Sequence, residues 1–200
     1  MSEEQKPTFP NDPDHVLTLR GEAAMKIFIN PTRMRIVEEM RLHSEPLTPK
    51  ALADRLGLSP SSAKHHLAKL ASIGVVLLDH QATIHGIVAS YYRLTDKAIN
   101  LDVTDPAARE FAPIWMRTSA ASVQQGLFDS FTRWHNAGAK EEDRWGMLDT
   151  DDVVYLTKEE AEALEAAIHA FSAAHSAPRP GAAPIRYNLI AYRAERADEN

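Results

Sequence analysis

Apolar residues recur at helical spacing in two segments near the start of the chain. The first segment spans residues 17–29 and ends before Pro31, because proline disfavours the helical conformation in the residue that precedes it. Asn30 then serves as the N-cap of a second helix with Pro31 at its first position. The residues predicted to face the core are Leu17, Ala24, Phe28, Ile36, Val37 and Met40.

Two further short helices follow, and each begins with the same signal. Thr48 and Ser59 are hydroxyl N-caps, and each is followed by a proline. Gly57 ends the first of these helices, since glycine adopts the left-handed conformation at no steric cost, and Gly74 ends the second. Their inward residues are Leu52, Ala53, Leu56, Ala63, Leu67 and Leu70. Two amphipathic helices joined by so few residues predict a helix-turn-helix.

The period of the pattern changes from helical to alternating after Gly74. Residues 75–80 and 87–94 are rich in β-branched and aromatic residues, and the polar segment 81–86 between them ends in Gly86. We therefore predict a β-hairpin with its tip at 81–86. A hairpin directly after a helix-turn-helix is a wing.

The second half of the chain begins with a long amphipathic pattern. Asp105 and Pro106 form a start signal, and apolar residues then recur every three to four positions for about seven turns, with Pro113 as a predicted bend. This pattern predicts one long helix for packing or self-association.

A strand, a helix and a second strand are predicted after the long helix. Residues 147–156 and 184–195 have strand-like patterns, and a helix over 157–175 lies between them. Thr157 and Glu160 have the spacing of a capping box at its start. These elements predict a small α+β unit at the C-terminal end.

The patterns together predict a mainly α fold with a small β component: a winged helix-turn-helix, a long helix and the small α+β unit. Residues 1–14 are rich in proline and acidic residues, which predicts a disordered tail. Residues 15–98 are predicted to form the winged helix-turn-helix DNA-binding domain and residues 99–200 a domain for dimerisation, with reception of an effector as a further hypothesis.

Composition narrows the classes of function. The chain has 200 residues, of which 44% are hydrophobic and 25% charged, and it has no cysteine, which excludes disulfides, thiol catalysis and cysteine-ligated metal. No apolar run approaches the roughly 20 residues of a membrane span, and the first residues lack a signal-peptide pattern. We therefore expect a cytoplasmic protein with no membrane partner.

The charge is unevenly distributed along the chain. The formal net charge is −6, yet residues 15–98 contain 11 Lys and Arg against 7 Asp and Glu. A locally basic segment in an acidic protein is compatible with one half contacting phosphate while the other half has a different role.

Several short motifs lie at matching places between residues 17 and 97. They are Asn30-Pro31-Thr32-Arg33, the run from Leu52 to Ser59, and His66-Leu67 with Leu70 and Gly74. In this arrangement the segment resembles the winged helix-turn-helix of ArsR-like bacterial transcription regulators. The resemblance implies a DNA-binding repressor or activator that acts as a homodimer on a palindromic operator, with repression as the default.

Helix geometry nominates the residues that face DNA. Because Ala63, Leu67 and Leu70 point inward, the opposite face of the same helix is predicted to enter the major groove with its first turns. The predicted DNA-binding residues at this helix are Ser59, Ser61, Ser62, Lys64, His65 and Lys69. Thr48, Lys50 and Arg93 lie outside this helix and are also predicted to contact DNA, with Lys50 and Arg93 on phosphate. Two alternatives stay open: the serines only cap the helix, and Lys64 and Lys69 contact phosphate rather than bases. We interpret His66 as a structural residue.

The sequence supports metal binding and catalysis less well than DNA binding. The histidine pairs lack metal-ligand spacing and no nucleophile, phosphate-loop or metalloprotease motif is present, so we predict no metal, no cofactor and no enzymatic activity. Trp115, Phe128, Phe131 and Trp134 are predicted to form a dimer core, with a small-molecule effector pocket as the alternative. The alternative function is a winged-helix protein-interaction module without sequence-specific DNA binding.

Overall fold

A computed structural model describes residues 16–43, 45–84 and 86–194, and the predicted tail lies outside this part of the chain. The fold is mainly α with a small β component, as predicted. Its elements are β1 (Val16–Leu19), α1 (Gly21–Phe28), α2 (Pro31–Arg41), α3 (Pro49–Leu56), α4 (Pro60–Ala71), β2 (Val76–Ile84), β3 (Ile87–Leu94), β4 (Ala98–Leu101), α5 (Ala108–Asn136) and α6 (Lys158–Ala174), with a short 3-10 helix at Glu141–Arg144.

The core of the first half is built by one face of each of the helices α1 to α4. Of the residues predicted to face inward, those that are buried are Phe28, Ile36, Val37, Met40, Leu52, Ala53, Ala63, Leu67 and Leu70. Leu17, Ala24 and Leu56 are half-buried. Met25 is fully buried and was not predicted. The helical periodicity therefore identified nine of the eleven buried residues of α1 to α4 and missed Met25 and Met34.

The helix starts follow from local hydrogen bonds. Asn30, Thr48 and Ser59 each accept a hydrogen bond from the backbone N–H three residues later, at 3.1–3.2 Å. Each bond satisfies one of the N–H groups that a helix start leaves without a partner. At the end of α3, Gly57 has a φ of 66°, the left-handed conformation that glycine favours. These predictions of helix boundaries are confirmed.

The helix predicted over residues 17–29 is wrong in its first four residues. Val16–Leu19 form the strand β1, which pairs in parallel with β4 from Val16 opposite Ala98 to Leu19 opposite Leu101. The helix begins only at Gly21, whose backbone N–H donates to Asp105 Oδ2 at 2.7 Å. A distant strand that supplies backbone partners outweighed the local helical pattern.

An acidic group next to this sheet has an unusually low pKa. Asp102 Oδ1 accepts from Thr104 Oγ1 at 2.6 Å and from Thr104 N at 3.0 Å, and Asp102 Oδ2 accepts from Arg20 Nε at 2.8 Å. The side-chain bond from Thr104, then that from Arg20, lower the pKa of Asp102 to about 2.

The low pKa of Asp102 predicts a loss of stability in acid. Because the folded pKa lies below the usual value near 3.8, the contribution is complete above about pH 4 and is lost as the pH falls towards 2. Carboxyl NMR titration should give a midpoint near 2, and Thr104→Val should raise it. Asp102→Asn should unfold with less dependence on pH between 4 and 2. An Asp102 midpoint near 3.8 in the parent protein would contradict this account.

The wing is an antiparallel hairpin of β2 and β3. Its register runs from Val76 opposite Leu94 to Ile84 opposite Ile87, with an irregularity between Leu78 and His80. The strand β2 therefore includes residues 81–84, which we had predicted as part of a polar tip. The strand pairing extends to the turn at Gly86, whose φ is 80°. His85 lies outside the described residues.

Two backbone hydrogen bonds attach the wing to the segment that precedes α3. Leu47 N donates to Tyr92 O at 2.8 Å, and Tyr92 N donates to Leu47 O at 2.9 Å. This bridge joins β3 to the segment that leads into α3, so backbone hydrogen bonds connect the wing to the helix-turn-helix.

Contacts within the chain divide it into two units. Among the described residues, one unit contains those up to Ile114 together with Val154–Ala182, and the other contains Trp115–Val153 and residues 183–194. In the second unit, Trp134 Nε1 donates to Lys140 O at 3.0 Å and Arg186 donates to Ser122 Oγ at 3.0 Å. None of the buried apolar residues of the described chain lies in this second unit.

The C-terminal helix is confirmed, whereas the two strands beside it are not formed. The capping box of α6 is present: Glu160 N donates to Thr157 Oγ1 at 3.2 Å and Thr157 N donates to Glu160 Oε2 at 2.7 Å. Residues 147–156 and 184–194 are not strands in the structure. An alternating pattern selects the face of a strand but does not supply the neighbouring backbone with which the strand must pair.

Candidate nucleic-acid interface

The candidate interface is the outer face of α4, the second helix of the helix-turn-helix. Ala63, Leu67 and Leu70 are fully buried and fix the inner face of this helix. On the opposite side the structure exposes a set of small polar and basic side chains. The exposed residues are Ser61, Lys64, His65, Ala68 and Lys69, and Ser62 is half-buried. This face has the size and polarity to lie against a DNA groove.

Two predicted contact residues, Thr48 and Ser59, use their hydroxyl groups to begin helices. Thr48 Oγ1 accepts from Ala51 N, and Ser59 Oγ accepts from Ser62 N, both at 3.1 Å. Ser59 Oγ also lies 3.0 Å from Ser61 Oγ. The capping role of Ser59 is therefore real, while Ser61 adds an exposed hydroxyl at the start of α4.

The four predicted cations differ in their surroundings. Lys50 Nζ lies 2.7 Å from Asp54 Oδ2, in an exposed ion pair one helical turn apart. Exposed ion pairs of this kind are weak, so Lys50 can exchange Asp54 for another partner. Lys64 and Lys69 have no ion pair with any residue that the structure describes. Arg93 lies beside two carboxylates, Asp79 and Asp96. Of these four cations, the two without an ion pair in the described structure, Lys64 and Lys69, therefore both lie on α4.

His65 and His66 face different environments on α4. Their rings are 5.6 Å apart and nearly perpendicular, with His65 exposed and His66 half-buried. His66 Nδ1 is buried and has no hydrogen-bond partner in the described structure. Burial, with smaller contributions from the positive charge of Arg33 and from His65, lowers the pKa of His66 below its ordinary value. The structural interpretation of His66 fits this environment.

The low pKa of His66 predicts a measurable pH dependence. Because the folded pKa is below the unfolded value near 6.5, protons bind the unfolded chain more readily and stability falls as the pH drops below 6.5. Proton NMR should show His66 titrating below 6.5, and His66→Gln should remove this part of the acid sensitivity. A His66 midpoint above 6.5 would contradict the assignment.

Arg33 is a residue of the site's framework that sequence reasoning placed only within a motif. Its Nε donates to Ile27 O, and its second amino group donates to Lys26 O at 3.1 Å, both at the end of α1. Asn30 in turn accepts from Arg33 N. The Asn-Pro-Thr-Arg motif thus begins α2 and also satisfies carbonyl groups at the end of α1.

The four aromatic residues predicted as a dimer core or effector pocket all lie on α5. Phe128 and Phe131 are exposed, whereas Trp115 and Trp134 are half-buried. The ring centroids of Phe131 and Trp134 are 5.9 Å apart. At about 1.5 Å per residue, Trp115 and Trp134 are roughly 28 Å apart along the helix. The four residues therefore cannot all line the same small-molecule pocket within a single chain.

In the ranges 16–43, 45–84 and 86–194, no group of three or more His, Asp or Glu side chains could hold a metal ion. Across the same ranges, no helix is both long and apolar enough to cross a bilayer.

One segment of the chain matches a known protein family. Residues 28–79, which contain α2, α3, α4 and the start of β2, match a family model described as a helix-turn-helix domain. Residues 28–79 form a helix-turn-helix domain. Together with the hairpin of β2 and β3 that follows, this domain has the architecture of a winged helix-turn-helix, as the sequence pattern predicted.

Solved structures provide further similar proteins. HlyU from Vibrio cholerae is 29% identical over 36% of this chain and 70% of its own, with a TM-score of 0.30. Mb0332 from Mycobacterium bovis, a homodimeric winged helix-turn-helix DNA-binding domain, is 22% identical over 48% and 78% of the two chains, with a TM-score of 0.33. RV1404 from Mycobacterium tuberculosis is 17% identical over 80% and 85%, with a TM-score of 0.30. No curated protein sequence matches the chain.

Proposed function

We propose that the protein binds a specific palindromic operator as a homodimer and represses transcription there. Residues 15–98 bind DNA and residues 99–200 dimerise. Two copies of α4 enter successive major grooves about 34–36 Å apart, the spacing of one helical turn of DNA. A protein bound in this way represses by blocking access to the promoter.

One observation carries the proposal: the outer face of α4 joins unpaired lysines to exposed polar groups. Lys64 and Lys69 supply positive charge for phosphate, and Ser61 and His65 supply hydrogen-bonding groups that reach base edges. The apolar face of the same helix is fully buried, so the orientation of these groups is fixed by packing. We assign Lys64 and His65 to the centre of the interface.

The long helix α5 supports the dimer part of the proposal. Phe128 is 63% exposed and Phe131 is 51% exposed, and both are large apolar side chains on one helix. In a two-fold dimer the same patch of each copy faces the other, so one exposed helix face can be covered by its own copy. Of the two interpretations of these aromatic residues, we favour the dimer core.

The decisive experiment measures binding of the purified protein to duplex DNA from upstream of its own gene. Fluorescence anisotropy across a salt series should show site-selective binding that weakens as salt rises, because bound lysines release counterions from phosphate. Scrambled DNA of equal length is the control. Sedimentation under the same conditions should give twice the 22.2 kDa mass of one chain.

Other results of these experiments would contradict parts of the proposed function. Equal affinity for operator and scrambled DNA, or no binding at low salt, would contradict an operator-reading regulator and favour the protein-interaction module. Increased transcription from a promoter that carries the bound site would exclude repression while leaving DNA binding intact. A small-molecule effector would have to quench Trp115 or Trp134 and change operator affinity together.

A further inference from the structure

A charge cluster lies on the wing beside the end of β3. Arg93 Nε is 3.4 Å from Asp79 Oδ1, and Arg93 Nη1 is 2.8 Å from Asp96 Oδ2. The same Nη1 group donates to Leu94 O at 3.2 Å. One guanidinium is therefore held by two carboxylates and a carbonyl. We call Arg93, Asp79 and Asp96 the arginine clamp.

An irregularity of the hairpin places Asp79 in the clamp. The register of β2 against β3 shifts between Leu78 and His80, so Asp79 is the extra residue of a β-bulge. Bulges change the direction of a side chain relative to a regular strand. Asp79 Oδ2 also lies 2.7 Å from His80 Nδ1, and the His80 ring stacks on Tyr91 with centroids 4.3 Å apart. The Asp79 carboxylate is thus fixed from two sides.

The clamp changes the electrostatic role of the wing. Between residues 76 and 94 the sequence contains one Lys or Arg, and that residue is Arg93. Two carboxylates against one guanidinium give the cluster a net negative charge, which repels phosphate instead of attracting it. The Arg93 side chain is nevertheless 38% exposed, so it is within reach of solvent and of a bound polyanion.

We propose that Asp79 and Asp96 are positioning residues that withhold Arg93 from DNA and thereby limit the affinity of the wing. The inference rests on the proposed DNA-binding function. It predicts that the wing of the parent protein adds little electrostatic affinity, and that neutral isosteres of the two carboxylates release a new phosphate contact.

The test is the double variant Asp79→Asn/Asp96→Asn, assayed by anisotropy on the operator fragment. Its affinity should rise about tenfold at 50 mM salt, and the slope of log affinity against log salt should steepen by about 0.9 for each released wing. The gain should therefore shrink towards the parent value by 200 mM salt. Asp129→Asn/Asp149→Asn, which makes the same chemical change outside the winged helix, should leave the slope unchanged.

A double-mutant cycle separates release of Arg93 from a general loss of repulsion. The same Asp79 and Asp96 substitutions are made in an Arg93→Gln background, where nothing remains to be released. The gain should then fall to within about twofold, since the interaction requires the guanidinium. A full gain in the Arg93→Gln background would overturn the clamp. Thermal unfolding of every variant confirms that the domain is folded.

A measurement without DNA keeps the clamp testable independently. In 15N NMR at low temperature, the Arg93 Nη–H protons should exchange with water more slowly in the parent than in Asp79→Asn/Asp96→Asn, because Nη1 donates a charge-assisted hydrogen bond to Asp96 Oδ2 at 2.8 Å. If the parent binds no DNA at any salt, the proposed function fails and this signal alone decides the clamp. Equal exchange in the two proteins would then overturn it.

Discussion

Lys64→Gln combined with His65→Ala should lower operator affinity about 100-fold at 150 mM salt while the protein stays folded. Both side chains are exposed on the outer face of α4, so their removal costs contacts to DNA and leaves the core of the helix intact. One lost base contact is worth about 1–3 kcal/mol, and loss of a phosphate contact adds to it. Anisotropy on the operator fragment measures the change.

The salt dependence of this variant distinguishes a phosphate contact from a base contact. If Lys64 contacts phosphate, the slope of log affinity against log salt should become shallower by about 0.9 for each chain. If Lys64 contacts a base instead, the slope should stay the same and the discrimination against scrambled DNA should fall. Lys158→Gln/His169→Ala makes the same changes on α6 and should leave both quantities as they are. An unchanged affinity in the α4 variant would remove α4 as the recognition helix.

The features predicted correctly from the sequence are those that depend on neighbouring residues. The caps at Asn30, Thr48 and Ser59 form bonds within three residues, and the inward positions of α2 to α4 follow a period of 3.6. Such features need no knowledge of the rest of the chain. The outer face of α4 could be deduced in the same way, as the side left over once Leu67 and Leu70 had been placed inward.

The features that were missed depend on partners far along the chain. The strand β1 forms because β4, some eighty residues later, supplies its hydrogen bonds, and the first helix starts against the carboxylate of Asp105. The strand patterns at 147–156 and 184–194 contain no information about a partner, and neither segment forms a strand. Local periodicity therefore overestimates secondary structure where pairing decides the outcome.

The arginine clamp shows the same limit within the candidate site. Arg93 was predicted to contact DNA because it is the one cation of the wing. Its pairing with Asp79 depends on a one-residue bulge, and a shift of one residue moves a side chain to the other face of a strand. Composition identifies the charge, whereas the register determines whether that charge is available.

Leu67→Ala should destabilise the winged helix by about 2–5 kcal/mol, because it opens a cavity between helices that cannot fully collapse. Leu67 is fully buried on the inner face of α4. Urea unfolding followed by circular dichroism at fixed protein concentration measures the change in the free energy of unfolding. Leu164→Ala, the same substitution at a position of α6 that is 45% exposed, should cost less than about 1 kcal/mol.

A conservative replacement separates loss of volume from loss of shape. Leu67→Met keeps most of the side-chain volume and should cost less than about 1.5 kcal/mol. If Leu67→Ala and Leu164→Ala instead cost the same, α4 would not be anchored through Leu67 and its outer face would not be held in one orientation. The proposed DNA contacts depend on this packing, since a helix that is not held in one orientation against the core presents Lys64 and His65 in many directions rather than one.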